Sequence, residues 1–263
     1  MKLVKAHAFG NDFLLLDNSQ VPPGADRAAL ARAVCARHRG IGADGLMIFE
    51  ESPPGASMRL FNADGSPSEV SGNGVRCLAA WIAVRRALAT GSVVEIGTDA
   101  GTKRLELLSR EKGQLAFCAA MGRPEQIERH ALTVFGAMVD AITMRVGNPQ
   151  CVVLGPVTEQ RLHTIAAGLA THPHFPEGTN VELATVDASD LVRILIWERG
   201  VGPTEASGTG ACAAAVAAME FGGASRDVRV VSPGGTQRVE WRADGLYLTG
   251  TASLIAEIAW HAW

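Results

Sequence analysis

Apolar and polar residues alternate along the chain in short segments, which predicts brief strands and a few helices rather than long elements. In the first half we predict strands at Lys2–Ala8, Phe13–Asp17, Leu46–Glu50, Met58–Asn62, Val93–Gly97 and Lys103–Leu108. Asp26 is suited to cap a helix that runs to about His38. A second helix, opened by glycines, runs from Gly72 to about Leu88.

The second half shows the same mixture of elements. We predict strands at Leu132–Phe135, Val139–Val146, Cys151–Leu154, Val181–Val186 and Leu191–Glu198. One helix covers Thr158–Leu169, another begins near Gly208, and a closing meander turns at Pro233–Gly235 and Asp244–Gly245. Because strands and helices do not alternate as regular βαβ units would, we assign the chain to the α+β class with a largely antiparallel sheet.

A short internal repeat suggests that the chain contains two copies of one unit. Ser71-Gly72-Asn73-Gly74 and Ser207-Gly208-Thr209-Gly210 each lead into an alanine-rich helix, at a spacing close to half the chain. We therefore expect an N-terminal half of residues 1–115, completed by residues 253–263, and a C-terminal half of residues 116–252.

Composition narrows the classes of function. Of 263 residues, 47% are hydrophobic and 19% charged, so the chain can bury a substantial core. The net charge of -3 and the lack of a basic block argue against a nucleic-acid partner. The N-terminus has no apolar signal core, and the run Ala211–Met219 is too short to span a bilayer, so we expect a cytosolic protein without a membrane partner.

Cysteine and histidine patterns do not predict a disulfide framework or a metal site. The five cysteines are odd in number and form no C-x-x-C pair. His172 and His174 share a proline-containing loop, but no nearby cysteine or carboxylate completes a tetrahedral set. Cys77 and Cys212 lie on apolar helical faces, where packing thiols are expected.

The two serine-glycine segments are candidate anion sites. The first N–H groups of a helix lack partners within the helix and carry the positive end of its dipole, so they favour a carboxylate or phosphate. Glycine allows a ligand to approach the backbone closely. Two ordinary helix caps, with Ser71 and Ser207 as N-cap residues, would give the same pattern.

Longer segments around this repeat carry a resemblance to a known family. They are Asn62-Ala63-Asp64-Gly65-Ser66, Gly72-Asn73-Gly74-Val75-Arg76-Cys77, Trp197-Glu198-Arg199-Gly200-Val201-Gly202 and Gly208-Thr209-Gly210-Ala211-Cys212-Ala213. Supporting segments are Phe9-Gly10-Asn11-Asp12-Phe13, Gly40-Ile41-Gly42-Ala43-Asp44-Gly45, Gly147-Asn148-Pro149 and Phe175-Pro176-Glu177-Gly178-Thr179-Asn180. Over nearly its whole length, the chain resembles the diaminopimelate epimerase family of cofactor-independent amino acid racemases and epimerases.

The resemblance implies a fold and an activity. The fold would have two pseudo-symmetric domains, each a mostly antiparallel sheet or barrel around a central helix, with the active site in the cleft between them. The activity would convert LL-diaminopimelate into the meso form, a step in supplying lysine and cell-wall precursors. In this family two opposed thiols, one as thiolate base and one as acid, exchange the Cα proton without pyridoxal phosphate or a metal.

The resemblance also implies roles for individual residues. Around the reacting amino acid centre it places Asn11, Gly72, Asn73, Gly208 and Thr209. At the distal amino acid end of diaminopimelate it places Asn62, Asn148, Asn180 and Arg199. The fork of an arginine suits a carboxylate because it can bind both oxygens.

Three positions depart from the family pattern. Both thiol positions are hydroxyls, Ser71 and Ser207, and the histidine that assists one thiol is replaced by Gln150. Glu198, the partner of the other thiol, is retained. The pKa of an alcohol is about five units above that of a thiol, so forming the oxyanion costs some 7 kcal/mol more, or about five decades in rate if uncompensated. Glu198 could act as base through Ser207, as in serine triads, whereas Gln150 cannot act as a base.

These departures leave three explanations open. The first is deliberate replacement of the cysteines by serine, to trap a substrate or prevent oxidation, although this does not explain Gln150. Alternatively, the protein is a divergent isomerase, lyase or racemase acting on another amino acid, or a non-catalytic amino acid binding protein. The sequence does not decide between a monomer and a homodimer.

Overall fold

The computed structural model describes residues 1–68, 71–99, 101–111 and 113–261. The chain forms two compact units. The first comprises Met1–Ala119 and the segment that begins at Gly250, and the second comprises Ala120–Thr249. The chain thus returns to its first unit after completing the second.

The first unit is built from strands and two α-helices. The strands are β1 (Lys2–Ala8), β2 (Asn11–Asp17), β3 (Gly45–Ser52), β4 (Gly55–Asn62), β5 (Pro67–Ser68), β6 (Val93–Thr98), β7 (Gly101–Glu111) and β8 (Gln114–Gly122). The helices are α1 (Arg27–Cys35) and α2 (Gly72–Arg85), and a 3₁₀ turn covers Asn18–Gln20. Strand β17 (Gly245–Ala259) pairs with β1 through its C-terminal part.

The second unit contains the same kinds of element. Its strands are β9 (Glu125–Val134), β10 (Ala137–Val146), β11 (Asn148–Leu154), β12 (Asn180–Ala188), β13 (Leu191–Glu198), β14 (Gly202–Thr204), β15 (Asp227–Ser232), β16 (Gly235–Arg242) and the first part of β17. Its helical segments are α3 (Glu159–Arg161), a π-helical turn (Leu162–Ala166), α4 (Ala167–Ala170) and α5 (Gly208–Phe221).

The two units share one topology. In the first, β2 pairs with β3 and β4 with β6 in parallel, while β1–β2, β3–β4 and β6–β7 are antiparallel. In the second, β11–β12 and β13–β15 are parallel, while β10–β11, β12–β13 and β15–β16 are antiparallel. In each unit the long helix follows a short strand, β5 or β14, and precedes β6 or β15. The duplication and the mostly antiparallel α+β fold predicted from the sequence are confirmed.

A buried helix forms the centre of each unit. Every residue of α5 from Gly210 to Ala218 is buried, and the helix contacts β10, β11, β12, β13, β15 and β16. Its alanines are good helix formers whose small side chains let the sheet approach from several sides. Helix α2 is buried from Asn73 to Ala80 and contacts β1, β2, β6 and β7.

Some helix ends and some strands differ from those predicted. Helix α1 ends at Cys35 rather than near His38, because Ala36 adopts an extended conformation, and α2 ends at Arg85 rather than near Leu88. The helix predicted at Thr158–Leu169 is capped by Thr158 but interrupted by the π-helical turn. Strand β8 was not predicted, and β9 begins seven residues before the predicted start at Leu132.

Among the described residues, no helix is both long and apolar enough to cross a membrane.

Candidate active site

Ser71 caps the central helix of the first unit. Its backbone is extended (φ -128°, ψ 122°), and its Oγ accepts a hydrogen bond of 3.1 Å from the N–H of Gly74. Ser71 and Gly72 are half-buried, whereas Asn73 is buried. The chain therefore enters α2 through a conventional N-cap that brings Ser71, Gly72 and Asn73 together.

Ser207 caps α5 in the same way. Its backbone is also extended (φ -136°, ψ 131°), and its Oγ accepts a bond of 3.2 Å from the N–H of Gly210. Ser207 and Gly208 are buried and Thr209 is half-buried. The predicted N-cap role is confirmed for both serines, while anion binding at these helix starts stays a prediction.

A polar chain behind Ser71 fixes the orientation of two asparagine amides. The guanidinium of Arg76, 1% exposed, donates to Oδ1 of Asn73 and lies 5.6 Å from the centroid of the Phe9 ring. With its oxygen facing Arg76, Asn73 donates through Nδ2 to Oδ1 of Asn11 at 3.3 Å. Asn11 in turn donates to Asp44 at 2.8 Å. The structure thus connects the predicted residues Asn11 and Asn73 to one buried cation.

Asp12 anchors the other end of this polar chain. Burial tends to raise its pKa, but hydrogen bonds from Arg37 and Lys5, together with their charges, hold the pKa below its usual range. Oδ1 of Asp12 lies 3.1 Å from Arg37, and Oδ2 lies 3.1 Å from Lys5. The loop that presents Asn11 is therefore held by a charged cluster.

Asn62 lies at the end of β4, opposite Gly45 of β3. Its side chain is exposed and donates to Oγ of Ser66 at 3.0 Å. Ser66 also bonds to Asp64, so a compact polar turn follows the strand.

The remaining predicted residues of the second unit meet where β11, β12 and β13 lie side by side. Gln150 of β11 is the register partner of Asn180 of β12. Val181 lies opposite Trp197, which places Glu198 beside Asn180 at the end of β13. Three strands therefore bring Gln150, Asn180 and Glu198 into one row.

Hydrogen bonds extend this row to Asn148 and Arg199. Buried Gln150 donates to Oδ1 of Asn148 at 2.6 Å. Oδ1 of Asn180 accepts the backbone N–H of Arg199 at 2.8 Å, and the Arg199 guanidinium, exposed to solvent, donates to the carbonyl of Glu177 at 3.1 Å. Of the distal-end residues, Asn148, Asn180 and Arg199 thus lie together in one unit, whereas Asn62 belongs to the other.

Glu182 is a buried acid that sequence reasoning missed. It lies on β12, two residues beyond Asn180 and on the same face, and is 0% exposed. Burial, followed by the charge of Glu198, raises its pKa well above its usual range. The available signal was a glutamate between Val181 and Leu183 in a predicted apolar strand, where a charged residue is unusual.

Four of the five cysteines are buried, as packing residues are. Cys35, Cys77, Cys151 and Cys212 are buried, as predicted for Cys77 and Cys212. Burial raises the pKa of both Cys35 and Cys77 to about 12, and it also raises the pKa of Cys151. Because the thiolate is the reactive form, these burial effects disfavour a nucleophilic role.

Comparison with known proteins gives one consistent result. The family model described as diaminopimelate epimerase matches residues 3–126 and 142–255. The diaminopimelate epimerase of Desulforudis audaxviator is 38% identical, covering 99% of both chains, and that of Heliobacterium modesticaldum is 36% identical, covering 96% of both.

Solved structures share the fold at low sequence identity. A predicted epimerase from Pseudomonas aeruginosa has a TM-score of 0.74 at 16% identity, covering 100% of this chain and 99% of that one. A phenazine biosynthesis protein of the PhzF family from Bacillus anthracis has a TM-score of 0.72 at 14% identity, covering 98% of both chains.

Proposed function

Because the chain belongs to the diaminopimelate epimerase family, we propose that it is a cofactor-independent isomerase that converts LL-diaminopimelate into the meso form. The observation that carries this proposal is the repeated helix start within a family match that extends over both units. Ser71 and Ser207 occupy equivalent N-cap positions with nearly the same backbone angles and the same hydrogen bond. As a member of this family, the chain takes a small amino acid as its substrate. Its charge pattern does not favour nucleic acid as a partner.

We assign the exchange of the Cα proton to the two serine hydroxyls. As the family resemblance implies, we pair Ser207 with Glu198, the last residue of β13 in the same unit. The Cα proton passes to Oγ of Ser207 as the hydroxyl proton passes to Glu198, which leaves the negative charge on the substrate. The Ser71 hydroxyl donates its proton to the opposite face of Cα, and exchange with solvent then returns a proton to the Ser71 alkoxide and removes one from Glu198. In the reverse reaction Ser71 takes the Cα proton. Gln150 can assist only by hydrogen bonding, since an amide does not titrate.

The remaining predicted residues bind the two ends of the substrate. The N–H groups at Gly72, Asn73, Gly208 and Thr209, with the Asn11 side chain, suit the carboxylate of the reacting centre. Asn62, Asn148, Asn180 and Arg199 suit the distal amino acid group. Support for this assignment comes from Arg199, whose backbone N–H donates to Asn180 and whose exposed guanidinium donates to the carbonyl of Glu177.

The serines favour a second candidate function, ligand binding with little or no turnover. An alcohol costs about 7 kcal/mol more than a thiol to ionise. The bond from a helix-start N–H to each Oγ stabilises the oxyanion and offsets part of this cost. Gln150 cannot act as a base for Ser71, because an amide does not titrate. A divergent isomerase or lyase acting on another amino acid would instead be more active with serine than with cysteine at these two positions.

Chiral chromatography of LL-diaminopimelate after incubation tests the proposal. The Ser71→Cys/Ser207→Cys protein should form the meso isomer fastest, the present chain much more slowly, and Ser71→Ala/Ser207→Ala not measurably. Calorimetry on the same proteins separates binding from turnover. If the folded double-cysteine protein neither binds nor converts either stereoisomer, the proposed function is wrong.

A further inference from the structure

Glu182 packs against the first turn of α5, directly beside Ser207. A Cβ atom built on Gly210 would lie 2.5 Å from Oε1 of Glu182 and 3.2 Å from Cβ of Ser207. The N–H of this same glycine donates to Oγ of Ser207. Glycine is therefore required at position 210 to make room for a carboxyl group next to the helix cap.

The cross-strand neighbours of Glu182 are apolar. Its register partners are Val152 on β11 and Ile196 on β13, both part of the core cluster around α5. Helix α5 has no charged residue in its first turn. The titratable groups that interact with Glu182 include Glu198 on β13 and the thiol of Cys151 on β11.

The equivalent place in the first unit holds a residue without charge. There, Sδ of Met47 lies 3.1 Å from a Cβ built on Gly74, and Cβ of Ser71 lies 3.3 Å from the same point. Met47 is on β3, which pairs in parallel with β2 as β12 does with β11. A thioether thus fills this space behind Ser71, and a carboxyl group fills it behind Ser207.

We propose that Glu182 is a positioning residue of the Ser207 half-site, where its uncharged carboxyl group supports the first turn of α5 and leaves Glu198 as the ionised base. This inference rests on the proposed function. When two carboxyl groups interact, the more buried one retains its proton. Glu182 is fully buried and Glu198 only half-buried, so the negative charge resides on Glu198. A charge on Glu182 would favour protonation of Glu198, and a protonated Glu198 cannot accept the Ser207 proton.

Thermal unfolding across a range of pH tests whether Glu182 is uncharged. A carboxyl group whose pKa is higher in the folded than in the unfolded protein stabilises less as pH rises above its unfolded value of about 4.3. The difference in Tm between Glu182→Gln and wild type should therefore become more positive from pH 5 to pH 9. Glu125→Gln, which removes an exposed carboxylate, should show a constant difference. A constant difference for Glu182→Gln would overturn the proposal.

Turnover separates positioning from direct proton transfer. In the Ser71→Cys/Ser207→Cys protein, Glu182→Ala should lower kcat by about 100-fold, as expected for a displaced reacting group. Glu182→Gln should restore most of that loss and extend activity to higher pH, because the amide cannot ionise. A folded Glu182→Gln protein as inactive as Glu182→Ala would contradict the positioning role.

The two measurements also separate this inference from the proposed function. If the double-cysteine protein has no activity on diaminopimelate, the proposed function fails. The Tm series still decides whether Glu182 is uncharged, and a constant difference there overturns the inference whatever the activity is.

Discussion

At the scale of single residues, Ser71 and Ser207 are each assigned two tasks. Each hydroxyl accepts the N–H of the third helical residue, which stabilises the helix start. The same N–H would stabilise an oxyanion formed during proton transfer. The chemistry proposed for these side chains therefore depends on a bond that also contributes to the stability of the fold.

Replacing either serine by alanine should destabilise its unit. Loss of a serine N-cap costs about 1 kcal/mol, and we expect Ser207→Ala to cost more than Ser71→Ala because Ser207 is more deeply buried. Urea unfolding of the two variants measures this loss. Ser57→Ala, at an exposed strand position, is the control and should change little. Equal unfolding midpoints for all three variants would refute the capping contribution.

At the scale of elements, the two helix starts differ in the strand side chain that packs against them. An added methyl at Gly74 meets the flexible end of Met47, while one at Gly210 meets the buried carboxyl group of Glu182. The surrounding helix caps are nearly the same. Position 210 should therefore tolerate a larger side chain less well than position 74.

Gly210→Ala should cost about 2 kcal/mol or more, as overpacking of a tight core does. Gly74→Ala is the matched control and should cost less, because Met47 can move and alanine favours the helix. Chemical denaturation of both variants compares the losses. Adding Glu182→Ala to Gly210→Ala should recover part of the stability, and strictly additive losses would show that the two residues do not interact.

Sequence patterns predicted elements where apolar periodicity or capping residues were strong. The helix starts at Asp26, Gly72 and Gly208 were predictable because side-chain caps or glycines mark them. The first part of β9 was missed because Glu125–Ala131 is mostly exposed and lacks alternating apolar residues. Its strand conformation depends instead on pairing with β10, a contact that a local pattern does not contain.

The candidate site was predictable for a different reason. The motif segments named Ser71, Ser207 and Glu198 as candidates. A glutamate in an apolar strand marks Glu182 as unusual, but only the strand register and the packing show which helix start it faces. The same holds for Arg76, whose buried guanidinium orients Asn73. Residues that pack behind a candidate site can be identified only from the three-dimensional structure.

At the scale of the whole molecule, the two units keep one topology but differ in charge near their helix starts. The first has the buried cation Arg76 five residues after Ser71, where the second has Cys212. The second has the buried acid Glu182 where the first has Met47. The two helix starts of the duplicated fold therefore have different electrostatic surroundings.

The most direct test of the central claim is deuterium incorporation at Cα of LL-diaminopimelate in heavy water, followed by NMR. The account predicts rapid exchange by Ser71→Cys/Ser207→Cys, exchange slower by up to about five decades for the serine protein, and none for Ser71→Ala/Ser207→Ala. Folded double-cysteine protein that binds diaminopimelate without exchanging its Cα proton would contradict the account, as would alanine variants that exchange as fast as the serine protein.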